Sequence, residues 1–518
     1  MAEDQDRNSK NLSRREFLAA ASGVPAVLAS GLSGCAKPVG PVKRPNILII
    51  ISDQLAQRAV GAYGDSQQRT PNIDSLASSG VRFSNAYTNC PLCQPSRASF
   101  WTGRLPHETG VTSNGMNYPV PPVPETMPTL GDIFTTGRYE AVNFGKRHDA
   151  GALRGFNLVD QKEMELEAPA AWPVNYDSKE DLYATDKCVE FLETRREKPF
   201  IAVASLNNPH NICGWVGHNA GVHQDVPVPE GDLPPLPDNF EIDDFQTRPL
   251  PVQYICCSHR RLEQASRWNE TNYRHYLAAY YHYLGLVDTH IGRILEALYS
   301  TPAGRDTLVV FFSDHGDGMA SHRMVSKQVS FYEETTRIPF VFSGAGVVGK
   351  DVVVDRPLVS LLDLAPTLCD FAGLDAPDDL LGRSMLPWIR GGNPGQWHEC
   401  VTSQWQTEWG YTVSPGRMIR TGRYKYTRYL EGDGQELYNI VEDPGEKRNL
   451  VNDPACREVL KEHRALLDSQ LERSRDPFHS LAVHVDKRWR SHTPGYRNHR
   501  GPSAPEAAWE EEKSKKST

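Results

Sequence analysis

The chain lacks any surplus of positive charge: 65 acidic residues outnumber 56 basic ones, for a formal net charge of −9. No broad basic field is available, which excludes a nucleic-acid partner. Long hydrophobic runs are also missing. The longest, an Ala, Val and Leu stretch between Leu18 and Leu32, is too short and too broken for a spanning helix. No segment repeats, which excludes a solenoid. Cysteine is sparse: ten residues, at 35, 90, 93, 188, 213, 256, 257, 369, 400 and 456. They form no recurring pair with zinc-finger spacing, and Cys90-Pro91-Leu92-Cys93 stands alone with nothing thioredoxin-like around it. The spacing leaves disulfide pairing open.

What is present is an alternation of strands and helices. Residues 46–51 are a continuous apolar and β-branched run, the pattern of a strand buried on both faces, and it ends at Ser52-Asp53-Gln54. A capped helix follows from Thr70, then a short strand at 81–83, a proline-rich loop at 118–128 and a helix at 129–136. A strand at 140–144 leads to Gly145-Lys146-Arg147-His148. Residues 151–180 carry no period. A helix at 180–195 precedes a second buried strand, 200–206, which ends at Asn207-Asn208-Pro209-His210. Residues 226–252, dense in Pro and Asp, read as a surface insertion. One long helix spans 272–299, with Tyr276, Tyr280, Tyr283, Leu284, Val287, Ile291 and Ile294 on a stripe that reads as core packing. A third buried strand, 307–312, ends at Ser313-Asp314-His315-Gly316-Asp317. The polar clusters after the buried strands therefore fall on one rim of the sheet.

This pattern predicts an α/β fold: a large, mostly parallel sheet with helices on both faces. From about Gln396 it changes to short strands at 410–413, 417–420, 424–430 and 436–440 and a helix at 454–473, a small C-terminal α+β subdomain with a short antiparallel sheet. The expected organisation is an export signal over 1–35, a spacer over 36–45, a catalytic domain over 46–395, the subdomain over 396–475, and a charged, extended tail over 476–518, partly disordered.

The stretch with most chemistry is Cys93-Gln94-Pro95-Ser96-Arg97, continuing to Trp101-Thr102-Gly103-Arg104. Pro95 suits the first turn of a helix, and Cys93 sits where free N–H groups and the helix dipole favour an anion. Arg97 lies one turn on, within reach of the same point. Asp53, Gln54 and Asp314 offer oxygens and His315 a ring nitrogen, a donor set for a hard divalent cation.

These residues resemble the signature of the formylglycine-dependent sulfatases, Cys-x-Pro-Ser-Arg-x-x-x-Leu-Thr-Gly-Arg, with Trp101 in place of Leu. The resemblance extends from about Asn46 to Leu450. It implies that a maturation enzyme converts Cys93 to formylglycine, whose hydrated aldehyde is the nucleophile, and that Ca²⁺, with Mg²⁺ or Mn²⁺ as alternatives, is held by Asp53, Gln54, Asp314, His315 and residue 93. Lys146 and His148 match the family's Gly-Lys-x-His, His210 its Pro-His, and Lys327 the lysine after the second metal segment. The implied roles are Arg97 holding the hydrate, Asp314 as base, Lys146 and Lys327 neutralising the sulfuryl oxygens, His210 or Lys327 protonating the leaving alcohol, and His148 expelling sulfate. His322 lies near a substrate histidine of some members, and Trp215 offers a sugar-stacking face. The expected substrate is a sulfated polysaccharide or its oligosaccharides. The Asp-Gln and Asp-His pairs also resemble formylglycine phosphonate monoester and phosphodiester hydrolases, and a silent, envelope-anchored binder of sulfated glycans is a third reading.

At the amino terminus, Ser13-Arg14-Arg15-Glu16-Phe17-Leu18 resembles a twin-arginine (Tat) export signal and Leu32-Ser33-Gly34-Cys35 a lipobox. The expectation is a protein of the bacterial cell envelope, periplasmic or at the surface, exported by the Tat machinery and held at the membrane by a lipid on Cys35.

Overall fold

The computed structural model describes residues 44–67, 69–114, 120–159, 179–218, 233–241, 248–249, 251–252, 265, 268–327, 330–406, 414–430 and 434–481. The export signal and lipobox, the tail beyond 481, the cysteines at 35, 256 and 257, the strand expected at 410–413 and most of the insertion expected at 226–252 lie outside these residues.

The first strand, β1 (Asn46–Asp53), is the axis of the fold. Its side chains alternate between two apolar layers: Ile47, Ile49 and Ile51 enter one, Leu48 and Ile50 the other. That period-two division is why the run carries no polar face. β1 pairs in parallel with β6 (Phe200–Pro209) on one side and β7 (Thr307–Ser313) on the other. With β2 (Val81–Phe83), β4 (Glu140–Gly145), β5 (Asn157–Leu158), β8 (Phe340–Gly344) and β9 (Val352–Val354), they form an eight-stranded sheet in the order β5-β4-β6-β1-β7-β8-β2-β9. Among the described strands of this sheet only β8 runs antiparallel to its neighbours, and β3 (Ala86–Tyr87) and β10 (Val359–Ser360) form a separate parallel pair.

One layer is closed by the helices Pro71–Ser78, Lys179–Glu193 and the long Glu270–Tyr299, which starts at an Asn269 cap accepting from Asn272 N. The other is closed by Cys93–Thr102, Leu130–Thr136 and Leu364–Ala372. This is the doubly covered α/β sheet that the sequence predicts. Among the described residues, no helix is long and apolar enough to cross a membrane.

Four later strands, β11 (Val401–Trp405), β12 (Gly416–Arg420), β13 (Tyr424–Tyr429) and β14 (Gln435–Asn439), make an antiparallel sheet in sequential order. One face, with Trp405, Met418, Tyr429 and Tyr438, joins the core of the large sheet. The other, with Ile419, Tyr426 and Leu437, is covered by Leu460, Leu467 and Leu471 of the helix Arg457–Arg473. β11 has no counterpart in the sequence reading, because Val401-Thr402-Ser403-Gln404-Trp405 is too polar at its centre to signal a strand. Burial of its backbone between β12 and Asn89, which accepts from Gln404 N at 2.8 Å, decides it.

The register fixes the rim. Ser52 of β1 stands opposite Leu206 and Ser313, and a shift then sets Asp53 against Pro209. β4 leaves the sheet at Gly145, whose φ of +91° belongs to glycine, and a Cβ there would lie 2.2 Å from the Ser205 carbonyl oxygen. Gly145→Ala is expected to lower the free energy of unfolding by about 2 kcal/mol through backbone strain and this contact. Denaturant titration checks it, and an unchanged midpoint would show that the strand pair yields instead.

Candidate active site

The site is assembled where β1, β6 and β7 end. The helix Cys93–Thr102 begins beside them, its approach fixed by Leu92 in an extended conformation and its end by Gly103 at φ +70°. Ser96 Oγ donates to the Asp314 carbonyl at 2.7 Å, which ties the first helical turn to the end of β7. Arg97, one turn into the helix and fully buried, is the hub. Its Nε donates to Asp314 Oδ2 at 2.8 Å, Nη2 to Asp53 Oδ2 at 2.9 Å, and Nη1 to Ser205 Oγ at 2.8 Å. One planar cation thus gathers the ends of all three strands.

The Cys93 sulfur lies 3.1 Å from His315 Nε2, 3.7 Å from Asp53 Oδ1 and 3.0 Å from Lys327 Nζ. His148 and His210 also reach it. Lys146 Nζ stands 2.9 Å from Asp53 Oδ2 and donates to Asn207 Oδ1 at 3.2 Å. His315 is oriented by its Nδ1, 2.8 Å from the Gly316 carbonyl, so Nε2 faces inward.

Burial pushes every charged form in this cluster toward neutrality, and the neighbours decide the outcome. Burial and the thiol push Asp53 upward, but Lys146, His210 and Arg97 outweigh them and hold its carboxyl well below the usual range. Asp314 goes the other way, up to about 6, through burial and its proximity to Asp53. Burial opposes ionisation of Cys93, yet Lys327, His315 and Lys146 bring the thiol well below its ordinary value. Against burial, Asp314 and the thiolate raise His315 to about 9. Burial, together with Lys146 and Lys327, lowers His210 to about 3, so its imidazole is neutral near pH 7.

Ligand atoms of Asp53, Cys93, Asp314 and His315 lie within 4.8 Å of one another. Two carboxylates this close repel, as the raised Asp314 records, and a divalent cation among them would relieve that crowding. Oxygen, oxygen and imidazole nitrogen suit a hard to borderline ion, so the residues fit a metal site.

The structure therefore brings together Cys93, Arg97, Lys146, His148, His210, Asp314, Lys327, Asp53 and His315. It places three other sequence candidates differently. Gln54 meets the cluster through its backbone, N–H donating to Asp314 Oδ1 at 3.1 Å. Its carboxamide is held by Asp317 (2.7 Å), Ser326 (3.1 Å) and Cys213 (3.3 Å), so it is not among the converging donors. His322 is closed in at 3 % exposure, stacked on Tyr332 with ring centroids 4.2 Å apart, and burial with Arg248, Lys425 and Arg58 pulls it well below the ordinary histidine value. Trp215 is also 3 % exposed and packs against Trp268 and Tyr276. A sugar has no face of it to stack on, which corrects the expected role. Ser205, Asn207, Asp317 and Ser326 were not singled out from sequence. Asn207 and Asp317 do lie in the polar clusters that end the second and third buried strands, which is the local hint the sequence carries.

A family model described as "Sulfatase" matches residues 45–374, and one described as "N-sulphoglucosamine sulphohydrolase, C-terminal" matches 320–475. The chain is 51 % identical over 477 residues to a Bacteroides thetaiotaomicron protein named Delta 4,5-hexuronate-2-O-sulfatase, covering 92 % of this chain and 99 % of that one. A solved structure titled a 2-O GAG sulfatase is also 51 % identical and superposes with a TM-score of 0.82, covering 90 % of this chain and all of that one. A phosphonate monoester hydrolase of Agrobacterium radiobacter shares the fold at 22 % identity and a TM-score of 0.69, covering 86 % of this chain and 99 % of that one.

Removing Arg97 takes the shared guanidinium from two buried carboxylates and leaves Asp53 with Lys146. Arg97→Ala is expected to lower unfolding free energy by about 3–5 kcal/mol, measured by denaturant titration, and a loss below about 1 kcal/mol would contradict the hub. In the protein that keeps a thiol at position 93, a divalent ion must displace the proton of His315 below about pH 9 and that of Asp314 below about pH 6. Apparent affinity should climb about tenfold per pH unit between 6 and 9 and more steeply below 6. Calorimetric titration across this range checks it, and a flat profile would remove His315 from the ligand set.

Proposed function

The chain belongs to the sulfatase family, and we propose that it hydrolyses the 2-O-sulfate ester of a Δ4,5-unsaturated hexuronate at the end of a glycosaminoglycan oligosaccharide. One observation carries the sugar assignment: identity of 51 % over nearly the whole of a relative named for that activity. The chemistry is supported by the cluster around residue 93, in which Arg97, Lys146 and Lys327 converge on one buried point together with two carboxylates.

On this reading, formylglycine at position 93 supplies a hydrated carbonyl as nucleophile, and a divalent ion, Ca²⁺ or alternatively Mg²⁺ or Mn²⁺, held by Asp53, Asp314 and His315 supplies positive charge to the reacting oxygens. The chain's own residues do the rest. Arg97 fixes both carboxylates, and Asp314 accepts the proton of the attacking hydroxyl. Lys146 and Lys327 face the sulfuryl oxygens, where charge grows in the transition state; such donors are worth about 3–4 kcal/mol each. His210, neutral beside two lysines, donates a hydrogen bond to the leaving oxygen, and Lys327 gives it a proton. His148 would then take the proton of the hydroxyl left on residue 93 as sulfate departs. With the proton on Asp314 returned to Lys327 and water restoring the hydrate, each cycle would convert ester and water into alcohol, sulfate and the one proton that His148 gives up to solvent.

The amino-terminal motifs support a reading in which the Tat machinery exports the chain and a lipid on Cys35 holds it at the bacterial envelope, where large glycans are met. Maturation of Cys93 requires a formylglycine-generating enzyme. A Cys35→Ala variant that fractionates like the parent would remove the lipid.

Mass analysis of the peptide carrying residue 93 should show sulfur replaced by oxygen, and Cys93→Ala should release no sulfate. Among defined disaccharides, the unsaturated 2-O-sulfated uronate should be cleaved in preference to 6-O- and N-sulfated glucosamine. Equal rates would withdraw the sugar assignment, and faster turnover of a matched phosphonate monoester would favour the related hydrolase chemistry.

A further inference from the structure

The long helix Glu270–Tyr299 sends two tyrosine hydroxyls out of the apolar core and onto the loops of the site. Tyr280 Oη donates to the Gln54 carbonyl at 2.8 Å and accepts from Ala56 N at 3.0 Å, clamping the turn that follows Asp53. One helical turn earlier, Tyr276 Oη donates to Asp317 Oδ1 and accepts from Ser326 N at 2.8 Å. Both rings are fully buried.

The second contact bears on the reaction. Ser326 holds a left-handed φ of +59°, a strained conformation for serine, and Lys327 follows directly. The peptide is held in that shape from three sides. Tyr276 takes its N–H, Gly318 N donates to its carbonyl at 2.9 Å, and its hydroxyl meets Gln54 and Cys213. The Tyr276 hydroxyl ties the backbone of this peptide to Asp317, and Gln54 Nε2, next to Asp53, donates both to Asp317 and to the Ser326 hydroxyl. The strained turn aims Lys327 Nζ at the residue-93 side chain, 3.0 Å away.

We propose that Tyr276 is a positioning residue for Lys327: its hydroxyl, shared between the Asp317 carboxylate and the Ser326 N–H, holds the left-handed peptide that carries the lysine to the reacting sulfuryl group. The inference rests on the reading of Lys327 as a group that faces that sulfuryl centre. Tyr276→Phe keeps the ring against Trp215 and Trp268 and removes only the shared hydroxyl. Without it the Ser326 N–H and one Asp317 oxygen lose a partner, and the peptide is free to relax from the left-handed region.

The test is a double-mutant cycle on the mature, metal-loaded enzyme with 4-nitrophenyl sulfate, a probe indifferent to the sugar. Tyr276→Phe is expected to lower kcat about tenfold or more while KM moves less than about twofold. In the Lys327→Ala background the same substitution should change neither, because the group it positions is gone. A Tyr276→Phe enzyme with parental kcat overturns the proposal, and so does a loss that persists in full beside Lys327→Ala, since that is the mark of a merely structural role. Should Tyr276→Phe not yield folded protein, Asp317→Ala removes the acceptor of the same hydroxyl; because Asp317 also holds Gln54, its loss of kcat should be smaller beside Lys327→Ala than in the parent, and an equal loss in both backgrounds overturns the proposal. Lys327→Ala turning over at the parental rate would instead remove the reading of the site on which the proposal rests.

Discussion

The three-way grip of Arg97 is the interaction on which the rest depends. Parallel strands have no hairpin to hold their ends level, so the positions of Asp53, Ser205 and Asp314 are set by helices and loops at some distance. A guanidinium buried among the three strand ends replaces that missing constraint, because its fork demands three acceptors in one plane. Its charge also makes the acids tolerable. Two carboxylates and an ionisable thiol could not share so small a dry volume without Arg97, Lys146 and Lys327 around them. A protein of net negative charge thus keeps its anion-binding capacity in one interior point.

Much of this was legible beforehand, for definable reasons. A strand buried on both faces leaves an uninterrupted apolar run, and all three strands of this kind could be seen, along with the polar residues at their ends. Pro95 and Gly103 mark a helix start and a helix stop, and the resemblance of the whole stretch to the sulfatase signature singles out Cys93 and Arg97. What stayed hidden depends on directions that a linear pattern does not carry. The stripe of Tyr276 and Tyr280 has the spacing of core packing, and packing is what the rings do; nothing in the spacing tells where their hydroxyls emerge. Trp215 and His322 stand near site residues in sequence but turn inward, one onto Trp268 and the other onto Tyr332. Gln54 follows Asp53 directly, yet its positive φ of 67° swings the side chain to Asp317 rather than to the converging donors.

The polar shell behind the site has a common logic. Asp317, Ser326, Cys213 and the two tyrosines are each buried or nearly so, and each satisfies a backbone or side-chain group of a loop that holds a reacting residue. Loops carry the chemistry because they can place side chains freely, and this freedom has to be removed again by partners from rigid elements. The long helix performs that service from below while closing the apolar layer with the same residues.

The C-terminal sheet bears on how such proteins can be recombined. Phe331 lies against Trp405 and Tyr429, Lys425 Nζ donates to Glu333 Oε1 at 3.2 Å, and Tyr87 donates to Glu333 Oε2 at 2.9 Å. One wall of the large core is therefore built from residues past 400. A crossover placed at the change in sequence character near 396 would cut through a shared interior, stranding Glu333 without its lysine and baring an aromatic surface. Chimeras that exchange this region intact between relatives must carry its inward face and Lys425 as one inherited block with the loop around Glu333.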